Sequence, residues 1–248
     1  MEKGKVMKNP NKPKTLPVAA GLILSLLVAP APGQDAVKQQ MQQKLGAIKL
    51  SMDKSQALLR QYTWTETTEV SLKGEVKKRE QNECRYGADG KVVKTSIGSS
   101  GEQAQGGGKK RGLKGKIVEK KVEEMKEYMD RVGSLVRRYV PPDPQAMQAA
   151  FQSGKASINP AGSLTFADYA KPGDSVTITF DTAAMKLRNL KVNSYLDSAQ
   201  DPEDKVTLEI RFSNLADGAN FAEETLLSAA AKQIQIKTTS FGHHKAGR

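Results

Sequence analysis

The chain is 248 residues long, 38% of them hydrophobic, with a net charge of +12 and a single cysteine, Cys84. That length fits one domain with a substantial core, and the lone thiol excludes an internal disulfide. The fold must therefore rest on apolar burial and not on a stapled scaffold.

The basicity is local. Up to Gly33 the chain carries five Lys and one Glu, so without that segment the charge of +12 falls by four, to +8. Of the remainder, Lys109–Lys121 alone holds seven basic residues against Glu119. Such a run meets anionic headgroups or stays solvated. It lacks the interleaved aromatics of a nucleic-acid groove, so nucleic acid is not an expected partner.

The N-terminus comes first in chain order. Lys3, Lys5, Lys8, Lys12 and Lys14 precede the largely apolar twelve-residue run Val18–Ala29, and the small residues Ala31 and Gly33 follow. This is the layout of a secretory signal peptide over residues 1–33, with cleavage before Gln34. The apolar run falls well short of the ~20 residues that span a bilayer as a helix. Export to the periplasm or beyond is the expectation, with residues 34–248 forming one domain.

From Asp35 to Gln61, Val37, Met41, Leu45, Ile48 and Met52 recur at three- and four-residue steps, which predicts an amphipathic helix. Tyr62–Val70 is aromatic and β-branched and predicts a strand carrying Trp64. Lys73-Gly74 and Ala88-Asp89-Gly90-Lys91 predict turns on either side of a charged strand, Glu75–Cys84, with Val92–Ile97 beyond. Gly98–Gly108 is glycine- and serine-rich, and a flexible loop is expected over 98–112. A second helix follows over Lys114–Val140, closed by Pro141-Pro142. Asp143-Pro144 caps a short third helix, Gln145–Ser153, which Gly154 stops.

The last third alternates apolar and polar residues. Val176–Phe180, Leu190–Leu196, Val206–Phe212 and Ile234–Lys237 each give one apolar and one polar face, and Ser157-Ile158 and Leu164–Phe166 precede them. Helix, three strands, two helices and five or six strands describe an α+β fold around an antiparallel sheet.

No reaction is legible, so a binding protein and not an enzyme is expected. Gly115-Lys116 is followed by Ile117 and not by Ser or Thr, and Lys110 stands at the first glycine position, so a phosphate loop fails twice. His243 and His244 are the only histidines; read as a polar tail, they point opposite ways and make a poor metal pair. The acidic loop Asp197–Asp204 lacks the order of a calcium loop. Glu66 and Glu69, three apart on a strand, face opposite sides. Cys84 reads as a small buried hydrophobe. No cofactor or metal is expected.

The long first helix, the Tyr62–Val70 strand with Trp64, the Asp89-Gly90 hairpin, the Asp174–Leu196 hairpin and the final strand Ile234–Phe241 follow one order. In that order of elements the chain resembles the bacterial outer-membrane lipoprotein carriers and their lipoprotein-sorting relatives. The resemblance implies an exported half-barrel, a strongly curved antiparallel sheet with helices on its concave side and an apolar cavity between. It further implies binding of lipid or lipoprotein acyl chains by a monomer. The lining would come from Val176, Ile178, Phe180, Val206, Leu208, Ile210 and Phe212, with Trp64, Met125 and Met129. The alternative keeps a filled core and gives the protein a structural role in the cell envelope. In that case Lys109, Lys110, Arg111, Lys114 and Lys116 meet an anionic membrane surface.

Overall fold

Helix α1 (Gly33–Leu59) ends where the residue chemistry changes. Tyr62, Thr63, Trp64 and Thr65 lose rotamer freedom in a helix but pack well on a pleated surface, and the chain turns into strand β1 (Tyr62–Leu72). A computed structural model describes residues 33–101, 113–159, 162–181, 183–184 and 186–246. Residues 1–32 of the expected signal peptide lie outside these, and Gly33, read as its last residue, is the first of α1.

Lys73 and Gly74 both take positive φ, 52° and 81°, which is the twist a two-residue hairpin demands. They return the chain into β2 (Glu75–Tyr86), and the Asp89-Gly90 turn leads into β3 (Val92–Gly101). Helices α2 (Leu113–Val136) and α3 (Pro144–Gln152) follow. Then come β4 (Ala156–Ile158), β5 (Ser163–Ala167), β6 (Ser175–Asp181) and β7 (Lys186–Tyr195). A 3₁₀ turn at Pro202–Asp204 precedes β8 (Lys205–Asn214), β9 (Asn220–Ala229) and β10 (Ile234–Lys245). The fold is α+β. All ten strands form one open antiparallel sheet in the order β3-β2-β1-β10-β9-β8-β7-β6-β5-β4.

The register shows where the core lies. Ala156, Phe166, Val176, Val192, Leu208, Leu227, Ile236 and Val70 stand opposite one another, pair by pair, from β4 across to β1. The next residue in that row is Lys78 of β2, where the apolar face stops. Ile48 of α1, Tyr128, Val132 and Leu135 of α2, and Met147 and Ala150 of α3 share one buried cluster with this face. Beyond it, β3 is exposed along Val92–Ser100, with Val93 at 41% and Ile97 at 55%.

Four expectations need correction. Gly98–Gly101 is not loop but the end of β3, because the twelve-residue β2 offers Lys78–Gln81 as hydrogen-bonding partners. Helix α2 stops at Val136 and not Val140. Ahead of Pro141 the chain tightens, with Arg138 N–H bonding to Leu135 O and Tyr139 N–H to Val136 O, since a proline disfavours helical geometry in the residue before it. Seven strands, not five or six, follow α3, because Asn220–Ala229 is a strand. His243 and His244 belong to β10 and not to a tail. The cap of α3 is as expected: Asp143 accepts from Gln145 N–H at 2.9 Å, with Pro144 at the first helical position.

One buried polar network sits among the apolar side chains. The Tyr139 hydroxyl donates to Asp174 Oδ2 at 2.6 Å and lies 2.8 Å from Ser194 Oγ, while Asp174 accepts from Ala170 and Lys171 N–H. Burial, and then the bond to Asp174, pushes the Tyr139 phenol above its ordinary range. The network is internally satisfied, which is the condition for keeping polar groups in a core.

Ile178, at 1% exposure, and Val93, at 41%, measure the two regions. Ile178→Ala is expected to lower stability by about 2–5 kcal/mol, and Val93→Ala by no more than about 0.5 kcal/mol. Urea unfolding midpoints of the two variants check the difference.

Candidate functional site

Helix α1 presents two neighbouring stripes. Ile48, Met52, Ser55 and Leu59, spaced four, three and four apart, turn toward the sheet. Gln42, Gly46, Lys49, Asp53 and Gln56 lie one position round. They form one wall of a groove of about 830 Å³ whose other wall is Pro141-Pro142 and α3. The floor is Leu187 of β7, Phe212 of β8, and Asn220, Phe221 and Ala222 of β9.

The groove has a deeper end. A pocket of about 190 Å³ shares Ile48, Met52, Pro141, Pro142, Met147, Leu187, Phe212 and Ala222 with it, and continues to Ile178, Leu190 and Ile210. Every described residue lining this inner end is apolar. Together they make one recess, open and mixed at the mouth and wholly apolar inside. Met52 and Met147 stand on opposite walls, and their unbranched thioethers fit irregular apolar surfaces.

Three features fix the walls. Asn220 Nδ2 donates to Leu187 O and Ser213 O, both at 3.1 Å, and its N–H donates to Ser55 Oγ at 3.2 Å, which ties α1 to the start of β9. Gly46 has nothing within 4 Å of where a Cβ would stand, so this turn of α1 borders open space. At one end Tyr86 and Phe221 are backed by an aromatic cluster. There the His243 ring lies 4.0 Å from Phe221 and stacks on Trp64 at 5.7 Å and 9°, and Trp64 meets Tyr86 at 5.5 Å. Burial, with a smaller push from His244, holds the His243 imidazole below its ordinary pKa.

The predicted lining residues divide. Ile178, Ile210 and Phe212 line the inner end. Val176, Phe180, Val206 and Leu208 are buried in the core and do not border the recess. Met125 and Met129 of α2 are half-buried against that core. Trp64 stands behind Tyr86 and His243. Lys109, Lys110 and Arg111 lie outside the described residues, as do the side chains of Lys114 and Lys116.

Sequence reasoning missed the walls. Ile48 and Met52 stood in the stripe of the first helix and carried the signal, but Pro141-Pro142 read only as a helix stop. Ala222 and Phe221 had no legible strand to sit on.

Chemically the recess can bind, and its described lining holds no nucleophile with a base. Among the described residues its charged lining residues are Lys49 and Asp53. Among the described residues no cluster of three or more His, Cys, Asp or Glu is placed to hold a metal. Cys84 is fully buried, and burial pushes its thiol up to about 11, so it stays protonated at neutral pH. Glu66 is bound to Lys94 and Glu69 to Arg79, each carboxylate occupied by its own cation. Comparison with protein-family models, curated proteins and solved structures finds no match.

The depressed pKa of His243 sets a pH dependence. The unfolded chain, with an ordinary value near 6.5, takes up a proton that the folded aromatic cluster resists. His243 therefore favours the native state fully above pH 6.5 and progressively less as pH falls from there toward its folded value. Urea midpoints measured from pH 7.5 downward are expected to fall in this window, and His243→Phe is expected to flatten that part of the curve.

Proposed function

We propose that this protein is a non-catalytic carrier or chaperone that holds an acyl chain of a lipid or lipoprotein in the recess between α1, α3 and the sheet. The carrying observation is the recess itself. A mouth of about 830 Å³ leads to an inner end of about 190 Å³ bounded by apolar side chains alone. A pocket of this size and lining is what a small amphiphile requires. Burying a methylene contributes roughly 0.8 kcal/mol, so ten of them contribute roughly 8 kcal/mol before the costs of association, without covalent chemistry.

The half-barrel, a sheet curved around its helices, belongs to the same proposal. It is supported by an apolar face confined to one side of the sheet and clustered with residues of all three helices. Export is supported by the basic, apolar and small-residue order of residues 1–33. The order of elements resembling lipoprotein carriers points the same way, toward a periplasmic monomer that works by binding and release.

Gly46→Leu provides the test, because it fills the mouth from a position with open space around it. Replacing a mid-helix glycine favours the helix by up to about 1 kcal/mol, so the variant is expected to keep or raise its thermal midpoint. Affinity for a fluorescent fatty acid is expected to fall by about tenfold or more, the equivalent of about 1.4 kcal/mol. Native mass spectrometry of the purified protein is expected to find co-purified lipid. A folded wild-type protein that carries no lipid and binds no acyl probe rules the proposal out.

A further inference from the structure

We infer that the ligand of the recess is an amphiphile with an uncharged, hydrogen-bonding head group, held between the glutamines of α1 and α3, and not a chain ending in a free carboxylate or phosphate. The inference rests on the carrier proposal and adds the class of ligand. The inner end offers no polar side chain, so a chain that fills it lies with its head at the mouth.

The mouth has its own chemistry. On α1, Gln42, Lys49, Asp53 and Gln56 recur at steps of seven, four and three and share the groove-facing stripe. On α3, Gln148 and Gln152, four apart, share the opposite wall. Four carboxamides therefore surround the opening, each with two donors and an acceptor. The two charged groups are of opposite sign and one helical turn apart, so the described residues at the opening carry no net charge. That neutrality is local, since the whole chain has 39 Lys and Arg against 27 Asp and Glu.

An anionic head placed here meets one cation, Lys49, and one carboxylate, Asp53, a helical turn away. A head built of hydroxyl or amide groups meets amides that both give and accept hydrogen bonds. A site made of such groups discriminates against heads that cannot return both kinds of bond. The geometry thus favours a monoacylglycerol, an N-acyl amide or a glycosylated chain over a fatty acid or a lysophosphatidate.

The experiment displaces an uncharged probe, 1-N-phenylnaphthylamine, from the full chain with amphiphiles of one chain length and different heads. The monoacylglycerol and the N-acyl amide are expected to bind about tenfold tighter than the fatty acid and the lysophosphatidate. The double variant Gln148→Ala, Gln152→Ala alters two exposed helix positions and is expected to keep the thermal midpoint while removing most of that preference. Equal or tighter binding of the anionic heads overturns the head-group inference and leaves the carrier proposal standing. Failure of every amphiphile to displace the probe overturns both. A preference that survives the double variant also overturns the inference, because the glutamines of α3 then do not read the head.

Discussion

The antiparallel ladder between β1 and β10 holds this molecule together. Every other neighbour in the sheet is also a neighbour in sequence, so the first three strands and the last seven would be two separate meanders without it. The ladder runs from Tyr62 opposite Lys245 to Leu72 opposite Ile234, with an irregularity between Thr63 and Thr65. At its outer end the Tyr62 hydroxyl donates to Asp217 at 2.6 Å across 155 residues of sequence. That bond and the nearby Lys245 hold the Asp217 carboxyl below its usual pKa. Such long-range pairing costs loop-closure entropy before it returns any contact.

The ladder also sets what the helical connection between β3 and β4 has to join. Joining the meanders through β1 and β10 makes β3 and β4 the two opposite edges of the sheet, although they are successive strands. Nine strand spacings of about 4.8 Å put these edges roughly 43 Å apart along the sheet. The connection between them includes α2, whose 24 residues at about 1.5 Å each make it roughly 36 Å long, and whose Tyr128, Val132 and Leu135 lie in the buried cluster. The segment that joins the two edges thus also contributes to the core.

The two sides of this core differ in how they are closed. Near the end of α2 the Tyr139–Asp174–Ser194 network seals the packing with satisfied hydrogen bonds. Near α1 and α3 the contact is looser. Pro141-Pro142 interrupts the helical path, Gly46 withholds a side chain, and Met52 and Met147 leave an apolar gap above Leu187 and Phe212. One satisfied network and one open recess thus give the core a closed side and an uncovered side.

Much of the architecture was legible from residue spacing alone. Two-residue alternation marked β6, β7, β8 and β10 and the set of side chains they bury, because successive side chains on a strand leave opposite faces. The steps of three and four in the first helix, the Asp143-Pro144 cap and the Lys73-Gly74 turn are equally local. Strand β9 was not legible. Asn220–Ala229 (NFAEETLLSA) does not alternate and is rich in helix-forming Ala, Glu and Leu, and it is a strand because β8 and β10 pair with it on both sides. The same absence hid Phe221 and Ala222, and His243 lacked a visible partner until Trp64 and Phe221 closed on it. Sequence by itself determined most of the elements and the apolar face. Tertiary structure decided which part of that face stays uncovered, since a gap depends on side chains from three distant segments failing to meet, and no local pattern encodes that distance.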